Sequence, residues 1–249
     1  METDQREWIN HSCPFRWQDL RPHPSNDVAL FFMRINVYID GFNFYHGALE
    51  GTRYQWINLR TLGQLLVPDG TIEEVHFFTA RVKSYRGSPG SSQRQDTYIR
   101  AIQTLERTFV HEGTFLSLPG GRTTEKGSDV NLATQLLLDC FDQKIDKALI
   151  ISADSDFATP IKVAIDRFDI EVVSAFPLGR NSTKLRQVSA AVVQIREQNL
   201  RGAMFDRTLI TADGKTISCP PSWVGGPRKP PSYKEFLRRP TNARKKKCA

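Results

Sequence analysis

The sequence predicts an α/β fold with a central, mostly parallel sheet. Three observations lead to this prediction. Short apolar runs alternate with helical patterns along most of the 249-residue chain. Most of these runs are rich in Val, Ile and Phe, which is typical of strands covered on both faces. Acidic residues stand at several junctions between a run and the helix that follows it.

Five strands are predicted from the apolar runs, and five is an ordinary number for one sheet. The first ends just before Asp40, and the fourth ends two residues before Asp154. The predicted strands are Arg34–Ile39, Glu74–Ala80, Thr108–Glu112, Lys147–Ser152 and Glu171–Phe176.

The connecting helices are predicted from apolar residues that recur every three or four positions. Asp129 is a suitable N-cap residue for the third helix, and Pro160 suits the first turn of the fourth. The predicted helices are Leu59–Leu66, Asp96–Arg107, Val130–Asp142 and Thr159–Phe168, the third of which carries Leu132, Leu136 and Cys140 on one stripe.

The α/β pattern occupies residues 33–200, and the two ends of the chain differ from it. Residues 1–32 show no sustained period and are predicted to be an irregular extension. Two β-like runs flank Asp213 and Gly214, a pair that favours a tight turn, so residues 201–224 are predicted to contain a small β-hairpin. Residues 225–249 form a proline-rich basic tail that ends in Arg244–Lys247.

Composition narrows the class of protein. No apolar run approaches the roughly 20 residues of a membrane span, so no membrane association is expected. The net charge of +7 favours a polyanionic partner such as nucleic acid, although many ordinary proteins are equally basic. The cysteines lack paired CxxC spacing, which indicates unlinked thiols in a reducing cytoplasm and no cysteine zinc site: Cys13, Cys140, Cys219 and Cys248.

Four carboxylates stand where an open α/β sheet would gather them. Asp40 follows the first predicted strand, Asp129 opens the third helix, and Asp154 and Asp156 follow the fourth strand. Ligands of such folds bind beyond the carboxyl ends of the strands, so these distant residues are expected to converge. Two like charges about 4 Å apart repel by roughly 4 kcal/mol at an effective dielectric of 20, so a proton or a cation must intervene.

Carboxylate oxygens are the usual ligands of Mg²⁺ and Mn²⁺, ions that support phosphodiester hydrolysis. We assign Asp40 and Asp154 as central metal ligands and Asp129 as a further ligand, direct or through water. Asp156 is expected either to bind the metal directly or to accept a hydrogen bond from a group that does. Asn43 is expected to orient a phosphate or a metal-bound water, and Ser152 to position the scissile group. Taken singly, each acid also fits a plain turn, helix cap or solvated loop.

Three blocks resemble the NYN domain, the LabA-like branch of the PIN-like nuclease superfamily. They are Val37–Tyr45, Lys126–Ala133 and Ile151–Phe157, in the family's order, and the resemblance extends over roughly Arg34 to Gln194. It implies a Rossmann-like, PIN-type three-layer fold, an acidic Mg²⁺ or Mn²⁺ pocket and ribonuclease chemistry. The positions that match the family's acidic and amide residues are Asp40, Asn43, Asp129, Asp154 and Asp156.

Two basic segments are candidates for substrate contacts. Arg81, Lys83 and Tyr85 follow the second strand, where basic side chains would meet phosphates and the ring would stack on a base. Arg122 and Lys126 precede Asp129, and Lys126 is the preferred phosphate contact. A solvated basic loop explains the first segment equally well.

Other functions fit the sequence less well. A phosphatase with an aspartyl nucleophile would usually need a second acid two residues after Asp40, where Phe42 stands. A metal-free acid/base pair of His46 and His111 is the weaker interpretation, because His111 falls in a predicted strand and nothing fixes their mutual geometry; structural roles are expected for both. A non-catalytic RNA-binding or regulatory module remains the alternative to a metal-dependent endoribonuclease.

Overall fold

The computed structural model describes residues 33–82, 90–118 and 122–225, with residues 114–118 and 122–126 described by their backbone. Seven strands form one sheet in the order β4-β3-β2-β1-β5-β6-β7, and every neighbouring pair is parallel except β3 with β4. The strands are β1 (Arg34–Asp40), β2 (Thr71–Ala80), β3 (Thr108–Leu118), β4 (Arg122–Lys126), β5 (Lys147–Ile151), β6 (Glu171–Phe176) and β7 (Ala191–Gln194).

Helices cover both faces of this sheet. The first begins directly after β1 and continues as a π-helical turn at Tyr45–Leu49. The α-helices are α1 (Gly41–Phe44), α2 (Leu59–Leu66), α3 (Ser91–Ile102), α4 (Ser128–Phe141), α5 (Ala158–Phe168), α6 (Thr183–Val188) and α7 (Glu197–Gly202). None of the helices in the described part of the chain is both long and apolar enough to cross a membrane.

The sheet separates two cores, because alternate residues of each strand point to opposite faces. On one face, Val37 of β1 packs in a cluster that includes Leu62 of α2. On the other, Tyr38 packs in a cluster with Leu136 of α4 and Ile161 of α5. The α/β class and the three-layer arrangement predicted from the sequence are therefore confirmed.

All five predicted strands are present, but the sequence analysis missed two others. β4 reads Arg-Thr-Thr-Glu-Lys, a polar edge strand without the apolar pattern by which strands were recognised. β7 has only four residues. The prediction for the second helix was also shifted: α3 spans Ser91–Ile102, and Arg107, which was placed in the helix, has a positive φ of 47° that no α-helix accommodates.

The N-cap prediction for Asp129 was wrong. α4 begins at Ser128, and its N-cap is Gly127, whose φ of 99° is a conformation that favours glycine. Asp129 instead lies in the first turn, where a carboxylate still interacts favourably with the positive end of the helix dipole. Pro160 lies in the first turn of α5, as predicted.

The predicted β-hairpin is confirmed. It consists of β8 (Thr208–Ile210) and β9 (Thr216–Ser218), which pair antiparallel around a turn in which Gly214 has a φ of 77°. Ile217 of this hairpin is buried in the same core as Val37. The hairpin therefore extends the main core and does not form a separate one.

Candidate functional site

Two adjacent strands bring Asp40 and Asp154 to the same edge of the sheet. Asp40 is the last residue of β1, and Asp154 lies just beyond the end of β5. These strands are parallel neighbours with Ile39 paired to Ile151, so their carboxyl ends lie side by side. We call Asp40, Asp129, Asp154 and Asp156 together the acidic edge.

Asp40 is held rigidly although its side chain is acidic and only 7% exposed. The backbone N–H of Asn43 donates to its Oδ1 at 3.0 Å, and the Ser152 hydroxyl donates to its Oδ2 at 3.0 Å. The next residue, Gly41, approaches β2 so closely that a Cβ there would lie 2.6 Å from the Phe78 carbonyl oxygen. Only glycine lets the chain turn here and keep Asp40 at the end of its strand.

Asn43 and Ser152 connect the two loops that carry Asp40 and Asp154. The backbone N–H of Ala153 donates to Asn43 Oδ1 at 3.2 Å, and that of Asp154 donates to the Ser152 hydroxyl oxygen at 3.0 Å. Ser152 is fully buried. These side chains link the two loops, and the substrate contacts predicted for both of them stay predictions.

Asp154 caps the short 3₁₀ turn Ser155–Phe157 that precedes α5. Its Oδ1 accepts a hydrogen bond from the Asp156 backbone N–H at 3.0 Å, so its other oxygen takes no part in this cap. Asp156 lies within that turn and Asp129 in the first turn of α4. The four acids thus come from three separate junctions between strands and helices.

Neighbouring carboxylates contribute to the raised pKa of Asp40 and of Asp129, because their negative charges are close. Burial raises the pKa of Asp40 to about 6, with further increases from Asp129 and Asp154, although the hydrogen bonds from Asn43 and Ser152 lower it. Burial also raises the pKa of Asp129, as do Asp154 and Asp156. Within the described residues no Lys or Arg forms an ion pair with any of the four. A set of carboxylate oxygens without a basic partner suits a hard divalent cation.

The structure describes the predicted substrate contacts to different extents. Arg81 forms ion pairs with Asp96 and with Glu112, the latter at 2.6 Å. Lys83 and Tyr85 fall outside the described residues. Arg122 and Lys126 belong to β4, whose backbone leads directly to α4 and therefore to Asp129.

The structure does not bring His46 and His111 together as an acid/base pair. His46 Nδ1 lies 3.0 Å from Glu50 on the exposed side of the first helix. His111 Nε2 lies 3.0 Å from Nδ1 of a different histidine, His76. Both therefore have local structural partners, as the sequence analysis expected.

A second polar group, not predicted from the sequence, lies beneath α4. We call Glu74, His76 and Asp139 the buried cluster; one potential ligand atom from each lies within 4.8 Å of the others. Burial lowers the pKa of His76 to about 4, with Asp139 acting in the opposite direction. Part of this cluster could have been predicted from the sequence, because Glu74 and His76 are two residues apart and therefore lie on one face of a predicted strand.

A cavity of about 250 Å³ lies beside the first helix, on the α3 side of the sheet. Most of its wall is apolar and aromatic, and Gln95 and Arg94 contribute polar groups. Its ring-bearing residues include Phe42, Phe77, Tyr98 and Trp223.

Comparison with known proteins identifies relatives. The model of the NYN domain matches residues 34–195. The 6-hydroxy-3-succinoylpyridine 3-monooxygenase HspA of Pseudomonas putida is 26% identical, with 78% of this chain and 77% of that protein aligned. A crystal structure of a Vibrio parahaemolyticus protein of unknown function shares the fold, with a TM-score of 0.52 at 16% identity, covering 74% of this chain and all of that one.

Proposed function

The chain belongs to the NYN domain family, and we propose that it is a divalent-metal-dependent endoribonuclease that hydrolyses RNA phosphodiester bonds at the acidic edge. The family is part of the PIN-like nuclease superfamily, which supports a nuclease-type hydrolase. The observation that carries the proposal is that no Lys or Arg among the described side chains pairs with the acidic edge, where Asp40 has a pKa of about 6. A buried carboxylate with a raised pKa among like charges is an expensive arrangement, and such arrangements concentrate at functional sites.

The residues present fit Mg²⁺ or Mn²⁺, because every candidate ligand atom is a carboxylate oxygen. Asp40 Oδ2 and the oxygen of Asp154 that does not cap the 3₁₀ turn would hold the ion, with Asp129 as a further ligand. When bound, such an ion lowers the pKa of water and stabilises charge on phosphate oxygens. Asp156 would orient the attacking water.

Asn43 and Ser152 act by positioning. Ser152 holds Asp40 on one side and the Asp154 backbone on the other, so it fixes the separation of the two main ligands. Asn43 Oδ1 accepts a hydrogen bond from the Ala153 backbone N–H, so its Nδ2 group is the part of the side chain proposed as a phosphate donor. Rigid ligand placement matters because a displacement of about 1 Å can cost a hundredfold in rate.

RNA is the proposed polymer because of the family and the charge. The net charge is +7, although the acidic edge itself is negative, so basic side chains must draw the substrate in. Arg122 and Lys126 belong to β4, the strand that leads into α4, and are proposed phosphate contacts, as are Arg81 and Lys83. Tyr85 is proposed to stack on a base. We further assign the chain to the LabA-like branch and the cytoplasm.

The test is cleavage of mixed single-stranded and hairpin RNA by the full-length protein with Mn²⁺ or Mg²⁺, with and without EDTA. The Asp40→Asn/Asp154→Asn double variant should lose at least about a hundredfold in rate. Asp166→Asn is the matched control, because Asp166 is an exposed aspartate paired with Lys162 on α5. Cleavage that survives EDTA and the double substitution would refute the proposal.

RNA binding measured in parallel separates this proposal from a non-catalytic module. In a nuclease, the double variant still binds RNA but no longer cleaves it. If the wild-type protein binds RNA and metal yet cleaves nothing, the binding module is favoured. Cleavage of a generic phosphodiester but not of RNA would point to another metal-dependent phosphoesterase.

The aromatic cavity supports a second candidate, taken from the relative named as a monooxygenase. Phe42, Tyr98 and Trp223 would enclose a planar heterocycle in about 250 Å³. Monooxygenation consumes O₂ and a two-electron reductant, so the test is O₂ uptake with a hydroxypyridine and a reduced nicotinamide. Absence of uptake, together with no quenching of Trp fluorescence by the hydroxypyridine, would remove this candidate.

A further inference from the structure

We propose that Glu74, His76 and Asp139 form a second divalent-cation site, of the Zn²⁺ class, that cross-links β2 to α4. Glu74 and His76 lie on the same face of β2, and Asp139 is a fully buried residue in the second half of α4. The site does not depend on the proposed nuclease activity and shares no residue with the acidic edge.

The ligand atoms are already spaced for a small cation. His76 Nε2 lies 3.3 Å from Glu74 Oε2 and 3.5 Å from Asp139 Oδ2. Zinc binds His nitrogen and carboxylate oxygen at about 2.0 to 2.2 Å, so two ligands at a tetrahedral angle are separated by about 3.3 to 3.5 Å. The two separations from His76 Nε2 therefore match the edges of such a site, and all three ligand atoms lie within 4.8 Å of one another.

An orphaned nitrogen independently indicates a missing partner. The side chain of His76 is 4% exposed, and its Nε2 atom has no hydrogen-bond partner. Its Nδ1 atom lies 3.0 Å from His111 Nε2. With Nδ1 donating to His111, Nε2 presents a lone pair to two carboxylate oxygens, an arrangement that a cation stabilises. A metal-bound histidine characteristically donates its other N–H in this way.

Both carboxylates are held so that one oxygen faces inward. Asp139 Oδ1 accepts from Gln135 at 2.9 Å and lies 3.7 Å from the Lys144 ammonium group. Glu74 Oε1 pairs with Arg107 at 3.0 Å. In each case a side chain near the rim engages one oxygen, and the other oxygen is the one directed at His76 Nε2.

Two donors from β1 complete the support of Asp139. The Tyr38 hydroxyl donates to Oδ2 at 2.7 Å, and the Asn36 amide donates to the same atom at 3.2 Å. Hydrogen bonds of this kind orient a ligating carboxylate and tune its basicity. The arrangement therefore includes both the ligands and the groups that commonly hold ligands in place.

A proton on His76 is the competing explanation. It would place an N–H between the two carboxylates, yet neither oxygen has hydrogen-bond geometry to Nε2. The alternatives differ in one measurable property, because a histidine that keeps its proton at neutral pH cannot hold a metal ion. Stoichiometric metal binding therefore decides between them.

The experiment uses full-length protein carrying Asp40→Asn/Asp154→Asn, which weakens binding at the acidic edge and removes the proposed nuclease activity. After EDTA treatment and dialysis, the protein is titrated with Zn²⁺, and with Co²⁺ as a visible probe of tetrahedral geometry. We expect one equivalent of tightly bound metal. No binding in this background would overturn the proposal, whatever the result of the RNA assay.

Variants assign the site. His76→Gln and Glu74→Gln should each weaken Zn²⁺ binding at least about a hundredfold, and His111→Phe about 10- to 100-fold because it removes only the acceptor of Nδ1–H. Phe at 111 can keep the stacking on Phe78, whose ring centroid lies 4.5 Å away. His46→Gln, at an exposed histidine, is the matched control and should bind as the parent does. Unchanged binding in His76→Gln would refute the assignment.

Thermal unfolding provides a second readout. Zinc at a hundredfold excess over its dissociation constant should raise Tm by on the order of 5 °C, because it binds the folded state. The rise should be lost in Glu74→Gln, which serves if His76→Gln fails to fold, since Glu74 is 20% exposed. An equal rise in parent and variant would contradict the proposal.

Discussion

The acidic edge and the buried cluster use the same kind of side chain in opposite ways. At the edge, Asp40 faces other carboxylates, and burial raises its pKa to about 6. In the cluster, Asp139 is more deeply buried but accepts hydrogen bonds from Tyr38, Asn36 and Gln135. Burial alone therefore does not decide what a carboxylate contributes to stability. The hydrogen-bond donors and charges around the carboxylate decide it.

The largest effect should come from removing the charge in the buried cluster. Asp139→Asn should lower the free energy of unfolding by about 3 to 5 kcal/mol, because an amide cannot accept from all the donors now directed at this carboxylate. Urea denaturation at pH 7 in EDTA measures the loss. Asp166→Asn is the control and should change stability by no more than about 0.5 kcal/mol. A loss below about 1 kcal/mol would mean that the donors find other partners.

The same type of substitution at the acidic edge, Asp40→Asn, should raise the free energy of unfolding instead of lowering it. The pKa of Asp40 is raised from 3.8 to about 6, so the unfolded chain releases this proton first as pH rises. Ionisation of Asp40 therefore costs roughly 3 kcal/mol of stability between pH 4 and 6, and that cost persists at pH 7. Asp40→Asn should raise metal-free stability by up to about 3 kcal/mol at pH 7 and by little at pH 4. A decrease at pH 7 would show that the edge is not electrostatically strained.

The raised pKa of Asp40 should also make metal binding at the acidic edge depend on pH. A cation at the acidic edge must displace the proton of Asp40, so the Mn²⁺ affinity of the wild-type protein should fall about tenfold per pH unit below pH 6 and level off above pH 7. Electron paramagnetic resonance of free Mn²⁺ measures this binding. The contribution of Asp40 should be absent in Asp40→Asn, and a wild-type affinity that is flat from pH 5 to 7 would exclude Asp40 as a ligand.

The smallest predicted effect concerns the positioning of the edge. Ser152→Ala removes the donor to Asp40 and the acceptor for the Asp154 backbone, and should reduce metal-dependent RNA cleavage about tenfold. Ser174→Ala is a matched control, because Ser174 is also fully buried and bonds to Ser189 away from the edge. Both variants should lose about 1 kcal/mol of stability. Equal activity losses would reduce the role of Ser152 to general stability.

The sequence predicted the acidic edge because local rules suffice there. Asp40 and Asp154 follow buried runs, and parallel strands end together, so their convergence required no knowledge of packing. Predicting the buried cluster would have required knowledge of tertiary packing. Glu74 and His76 were visible on one strand face, but their meeting with Asp139 depends on how α4 lies across the sheet.

The errors have similar physical causes. β4 was missed because its pairing with β3, and not its own polar sequence, makes it a strand. Asp129 was misplaced because Gly127 supplies the backbone conformation at which α4 begins, and a cap formed by backbone geometry leaves no side-chain signature. In both cases the deciding interaction lies outside the segment from which the prediction was made.

Helix α4 carries a member of each region, ten residues apart. At 1.5 Å per residue, Asp129 and Asp139 are separated by about 15 Å along the axis, so the helix acts as a lever arm. A tilt of about 4° pivoting at Asp139 would shift Asp129 by about 1 Å. A small rotation of α4 at Asp139 thus becomes a larger displacement of Asp129 at the other end of the helix. How precisely Asp129 is placed at the acidic edge therefore depends on the stiffness of the contacts around Asp139, which no substrate touches.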